Sequence, residues 1–138
     1  MSSAERAATV VAAARALVGV RFRLHGRSAA TGLDCVGLAA VALERAGHGG
    51  AVPTRYGLRL SRTAPVEQWL REAGLWPVED AGPGDLALVR PGPMQLHLMI
   101  VVPGGFVHAH AGLGRVVEMP GGSPWPVLGW WRPGEGPA

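Results

Sequence analysis

Apolar positions in the first half of the chain recur three and four residues apart, and in the second half they crowd into short runs between turn residues. Val10, Val11, Ala14, Leu17 and Val18 follow helical spacing, which predicts a helix over 4–18 that ends at Gly19. His25-Gly26-Arg27-Ser28-Ala29-Ala30-Thr31-Gly32 is rich in turn residues, and the helix formers after it predict a second helix over 35–46, closed by Gly47. Pro65 suits the first turn of a third helix, with Glu67 near its positive end; Val66, Trp69, Leu70 and Ala73 form its apolar face and Gly74 its stop. Five short strands are then expected at Leu86–Val89, Leu96–Val102, Phe106–His110, Arg115–Met119 and Val127–Trp131. Helices first and strands afterwards predict an α+β domain, with N-terminal helices packed on a mostly antiparallel sheet of about five strands. The expected organisation is one domain over 1–132, irregular over 48–57, with a frayed tail over 133–138.

Composition narrows the function classes. The 138 residues are 48% apolar, ample for one core. The formal charge is +3, carried by scattered arginines with Arg21-Phe22-Arg23 as the one local cluster, so no nucleic-acid surface is expected. No apolar run reaches bilayer length, so no membrane span is expected. Ala7–Ala14 follows Arg6 as a short signal peptide would, but Glu5 and Arg15 bracket it. An amphipathic helix is the preferred reading, and with it a protein without a secretion signal, cytoplasmic when made.

One cysteine, Cys35, excludes an internal disulfide and a cysteine-rich zinc site. It falls in Asp34-Cys35-Val36-Gly37-Leu38, where loop becomes helix. Free backbone N–H groups and the helix dipole favour a thiolate there, so a lowered thiol pKa is expected, set against an inert buried cysteine. Asp34 is placed to cap the helix. A thiol nucleophile needs a base and a group that orients the base. His97, His108 and His110 supply candidates on neighbouring strands. If Gly104-Gly105 is a two-residue turn, His108 faces Val101 and His110 faces Met99, so both share the face of His97 with His110 nearer in register; a three-residue loop reverses both. His-x-His on one strand face also suits zinc, with Cys35 and His97 as partners, a reading ranked below the nucleophile. Asp85 is expected to fix a turn, and Trp125, Trp130 and Trp131 to pack in the core or at an edge, with lining a groove as the alternative.

Four motifs in order resemble the NlpC/P60 family of cell-wall cysteine peptidases. That family pairs Asp-Cys-Ser-Gly-Leu at a helix start with a Gly-Asp-Leu strand, a His-Val-Gly-Ile strand and a Phe-(Val/Ile)-His-Ala strand. This chain has Asp34-Cys35-Val36-Gly37-Leu38, Gly84-Asp85-Leu86, His97-Leu98-Met99-Ile100 and Phe106-Val107-His108-Ala109. The resemblance runs from about Ala4 to Met119. It implies a papain-like fold, no cofactor, and hydrolysis of peptidoglycan stem peptides, usually between γ-D-glutamate and a diamino acid. It implies Cys35 as nucleophile, His97 as base, and His108 as the orienting residue with His110 as runner-up.

Two departures bear on the site. Val36 stands where the family has Ser. Phe22-Arg23-Leu24-His25-Gly26 stands where the family has Tyr-Arg-(Trp/Leu)-Gly-Gly, so Phe22 lacks a hydroxyl and His25 adds a polar group. Phe22, His25 and Asp34 are the candidates for substrate or oxyanion contact. The chain is similar to compact members encoded with phage tails and gene transfer agents, which implies local wall opening by a phage-like particle and tail proteins as partners. A catalytically weak tail component that keeps the fold is the alternative, and acyl transfer to an amine uses the same chemistry.

Overall fold

Ser2 accepts a hydrogen bond from the Glu5 amide and so starts the first helix, a side-chain cap of the expected kind. The structure, a computed structural model, describes residues 2–50, 58 and 62–134, and every structural statement concerns these. The helices are α1 (Ser3–Ala16), α2 (Cys35–Arg45) and α3 (Ala64–Glu72). The strands are β1 (Arg27–Ser28), β2 (Gly32–Leu33), β3 (Leu75–Val78), β4 (Leu86–Gly92), β5 (Gln95–Val102), β6 (Gly105–His110), β7 (Arg115–Pro120) and β8 (Val127–Pro133).

The main sheet is antiparallel with six strands in the order β3-β8-β4-β5-β6-β7, one more than expected; β1 and β2 form a separate two-stranded ladder. Pro77 hides β3 from a sequence reading, and an edge strand is where a sheet tolerates proline. The α+β class holds. Pro133 pairs with Leu75 inside β8, so the ordered chain runs past the expected boundary at 132. Of the stretch expected to be irregular, 51–57 lie outside the described residues, as do 135–138 of the tail.

Strand alternation divides the apolar residues between two faces. Leu86, Leu88, Leu96, Leu98, Ile100, Val102, Val107, Ala109 and Val116 pack under the helices with Val10, Ala14, Leu17, Leu38 and Ala42. Ala87, Val89, Met99 and Phe106 cluster on the other face with Trp125, Val127 and Trp130. Asp85 joins the strands at one end. Its carboxylate accepts from the Gly82 amide at 2.8 Å and from Arg132 at 3.0 and 2.9 Å, fixing the turn before β4 to β8.

The loop before α2 is held from both sides. Gly19 and Phe22 donate to Val116 and Gly114 (2.9 and 2.8 Å), so the chain leaving α1 runs along the free edge of β7. It returns through Leu33, which bridges Phe22, into α2. Asp34 caps α2 by accepting from the Gly37 amide at 2.8 Å, and its second oxygen accepts from the His25 amide at 2.7 Å. His25 takes the left-handed conformation at φ 60°, a strained choice for a residue with a Cβ. Gly37 lies so close to the Gly26 carbonyl that a Cβ there would overlap its oxygen. Gly37→Ala should therefore push the 22–26 loop off α2. A loss of about 2–3 kcal/mol in urea unfolding is expected; an unchanged midpoint would show that the contact is not needed.

Candidate active site

β5 and β6 pair only over Val102↔Gly105, Val101↔Phe106 and Ile100↔Val107. Beyond that they part: β6 stays with β7 as far as His110, and β5 stays with β4 back to Gln95. The Val101 amide donates to Asp85 on the β4 side. Backbone groups alternate along a strand, so the Leu98 amide points the other way, towards β6. It is the first such amide beyond the end of the ladder. The Leu98 amide favours the Cys35 thiolate, which places the sulfur near it. The first turn of α2 thus comes in where β6 leaves off, one peptide unit from His97.

The turn between the strands is Pro103-Gly104, not Gly104-Gly105, with Gly104 at φ 81°. The turn lies one residue earlier than the simple expectation, which moves each partner by two residues and so keeps His108 and His110 on the face of His97. His97 Nε2 lies 3.0 Å from His108 Nδ1. The rings stand nearly perpendicular at 79°, with centroids 5.2 Å apart. His110 touches His108 at 5.5 Å but spends its Nδ1 as acceptor for the Leu113 amide. Alternation puts these rings on the sheet face away from the helices, whereas Cys35 lies on the helix face. Among the described residues no hydrogen bond joins the sulfur to His97.

Burial dominates the electrostatics. Cys35 is 5% exposed, and loss of hydration pushes its thiol up to about 12. The amides of Leu98, Val36 and Cys35 itself pull it down, while Asp34 pushes it up. The expectation of a lowered thiol is therefore overturned: helix-start amides are present, but desolvation outweighs them. His97 is lowered to about 3, by burial first and then by His108 and His110. His108 is lowered to about 4, by burial and then by His110. The Cys35 thiol and the His97 and His108 imidazoles are all neutral near pH 7.

The remaining candidates divide. Asp34 is buried and serves the backbone as described; Phe22 is half-buried beside the core; the His25 side chain is exposed. Among the described residues no group of three His, Cys, Asp or Glu side chains is placed to hold a metal ion. Trp131 is core and Trp130 stacks on Phe106. Trp125 packs against the second cluster as expected, and its ring also stands edge-on to both His97 and His108, with centroids 5.8 Å from each. Its loop, rich in glycine and proline, has no periodicity that would have revealed this.

Two consequences are measurable. Both imidazoles are held neutral with folded values below the free value of 6.5, so their contribution to stability is present above 6.5 and lost as pH falls towards 4 and 3. The Tm should be level above neutrality and fall below pH 6.5, and His108→Gln should flatten that slope; equal slopes would contradict it. Iodoacetamide should modify native Cys35 at neutral pH at least about tenfold more slowly than the unfolded chain, and faster as pH rises. Rapid native labelling at pH 7 would show the thiol to be ionised.

No protein-family model matches the chain, and no curated protein matches it significantly. Solved structures do. The NlpC/p60 domain of the peptidoglycan hydrolase SagA is similar over 83% of this chain and 88% of that one, at 24% identity and a TM-score of 0.59. The P60 domain of an antigen from M. avium subspecies paratuberculosis is similar over 95% and 96%, at 22% identity and 0.61. The peptidoglycan hydrolase RipB from Mycobacterium tuberculosis is similar at 22% identity and 0.60; this chain matches over 94% of its length and spans 65% of that structure. Three helices on an antiparallel sheet, with a cysteine at a helix start beside a parted pair of strands, give this chain the fold of the NlpC/P60 domains.

Proposed function

We propose that this chain is a thiol hydrolase of the NlpC/P60 kind that cleaves peptide bonds in bacterial peptidoglycan stem peptides. Cys35 is the nucleophile, His97 the base and His108 the orienting residue. One observation carries the reading: the His97–His108 bond of 3.0 Å at the place where the Cys35 sulfur meets the Leu98 amide. His108 occupies Nε2 of His97, which leaves Nδ1 for the thiol. As base, His97 donates its Nε2–H to His108 Nδ1 and takes the thiol proton on Nδ1. The sulfur attacks the scissile carbonyl carbon, and the Cys35 amide helps hold the oxyanion. The C–N bond breaks as His97 returns the proton to the leaving amine, and water then hydrolyses the thioester. Two of the structural neighbours are described as peptidoglycan hydrolases, which supports this substrate class. The bond we assign is that between γ-D-glutamate and the diamino acid, and the setting local wall opening by a phage-like particle; both rest on resemblance, and recovery of the protein with such particles tests the second.

The neutral, mutually unbonded thiol and His97 favour a second reading, a weakly active binding component with the same fold. One assay separates the two. Purified stem peptides, incubated with protein and read by mass spectrometry, should give cleaved fragments. Cys35→Ala should abolish them and His97→Ala should cut the rate at least about a thousandfold. His108→Asn should lose less than His108→Ala, and His110→Ala should be mild. Intact peptides with wild-type protein, bound but unprocessed, would favour the second reading.

A further inference from the structure

The loop Gly121–Pro126 leaves β7 and enters β8, and it carries Trp125 onto the two histidines. The Ser123 hydroxyl donates to the Trp125 carbonyl at 2.7 Å and accepts from the Trp125 amide at 3.1 Å. This clasp closes the loop on itself around one residue. The Pro126 carbonyl accepts from the Arg90 amide at 3.0 Å and fixes the loop to β4 beside Val89, which pairs with His97. The indole therefore meets His97 at 89° and His108 at 85° with equal separations. Its other side is partly exposed. Trp125 is a wall with the histidine bond behind it and solvent in front.

We propose that Trp125 is a positioning residue, clasped by Ser123, that screens the His97–His108 bond from water and fixes the two rings against each other. Rings held at right angles to one indole cannot swing apart without losing both contacts. The exclusion of water by Trp125 also helps keep both rings uncharged.

The titratable and charged groups around the pair are few. β6 brings His110; α2 brings Cys35 with Asp34 as its cap; β7 brings Arg115 opposite His110, exposed; β4 brings Arg90 next to Val89, partly exposed. The loop itself brings none. Removal of the indole therefore changes hydration at the rings and leaves their charge partners in place.

The test reads the imidazole Cε1–H resonances of the full chain by NMR across pH, without substrate. In the wild type neither ring should titrate above about pH 5. In Trp125→Ala both midpoints should rise by about one pH unit or more towards the free value. Trp125→Phe should lie between. Unchanged titrations in a folded Trp125→Ala protein would overturn the proposal. Should that variant not fold, Ser123→Ala keeps the indole and frees the loop; its midpoints should also rise, and unchanged ones overturn the proposal equally. The role in turnover rests on the hydrolase reading, and there the acid limb of the kcat/KM profile should move with the titrations while KM changes less than kcat. Titrations that shift in a protein that cleaves nothing would sink the hydrolase reading alone. Unshifted titrations in an active enzyme would sink this one alone.

Discussion

The Leu98 amide is the point on which the site depends. An interior strand normally gives every second amide to each neighbour, and a buried amide without a partner costs about 1–3 kcal/mol. Where β5 and β6 part, that cost falls due. The Leu96 amide is met by the Leu58 carbonyl at 2.8 Å, and the Leu98 amide lies where it favours the Cys35 thiolate. The gap is needed, since a continuous ladder would leave no route from a helix on one face to histidines on the other. It is also filled, because α2 arrives with its first turn aimed into it. Asp34 sets that aim by gripping α2 with one oxygen and the 22–26 loop with the other. Gly37 permits the approach.

Two opposing effects meet at the sulfur. Amides of Leu98, Val36 and Cys35 favour the thiolate, and burial in the helix-side core opposes it more strongly. The histidines across the gap show the same balance with the sign reversed, since burial removes their charge. A resting site of neutral groups stores no ion pair. Charge separation must come with the substrate, when a carbonyl oxygen becomes available to take the negative charge and amides already in place receive it. This arrangement guards the thiol against oxidation and alkylation while the site is empty, because the thiolate is the reactive form.

Much of this was legible in the chain. Spacing placed α1, α2 and α3 to within two residues at most ends, and the loop-to-helix position of Cys35 and the cap by Asp34 follow from local residue chemistry. The antiparallel strands were legible as apolar runs between glycine and proline turns. What was missed is non-local or too short for a period. β3 carries Pro77 and is stabilised by β8 across the sheet edge. β1 and β2 have two residues each. The turn Pro103-Gly104-Gly105 offers two registers whose partners differ by two residues, and local residue chemistry does not choose between them. The bond from His97 to His108 was reachable through the Phe-Val-His-Ala motif, while simple hairpin register put His110 nearer. The thiol pKa was misjudged because the helix start is visible in sequence and the depth of burial is not. Trp125 was considered as a groove-lining residue, but its contact with the two histidines is non-local and could not be read from the chain.

The central claim is that Cys35 attacks a peptide carbonyl with His97 as its base. The direct measurement is a rapid acid quench of the protein with an excess of stem peptide, followed by intact-mass analysis and digestion to locate any adduct. The account predicts a transient gain equal to the acyl portion of the peptide, on Cys35, labile to alkali as a thioester, and absent in His97→Ala. Turnover with no adduct on Cys35, or an adduct that forms as fast without His97, would contradict it.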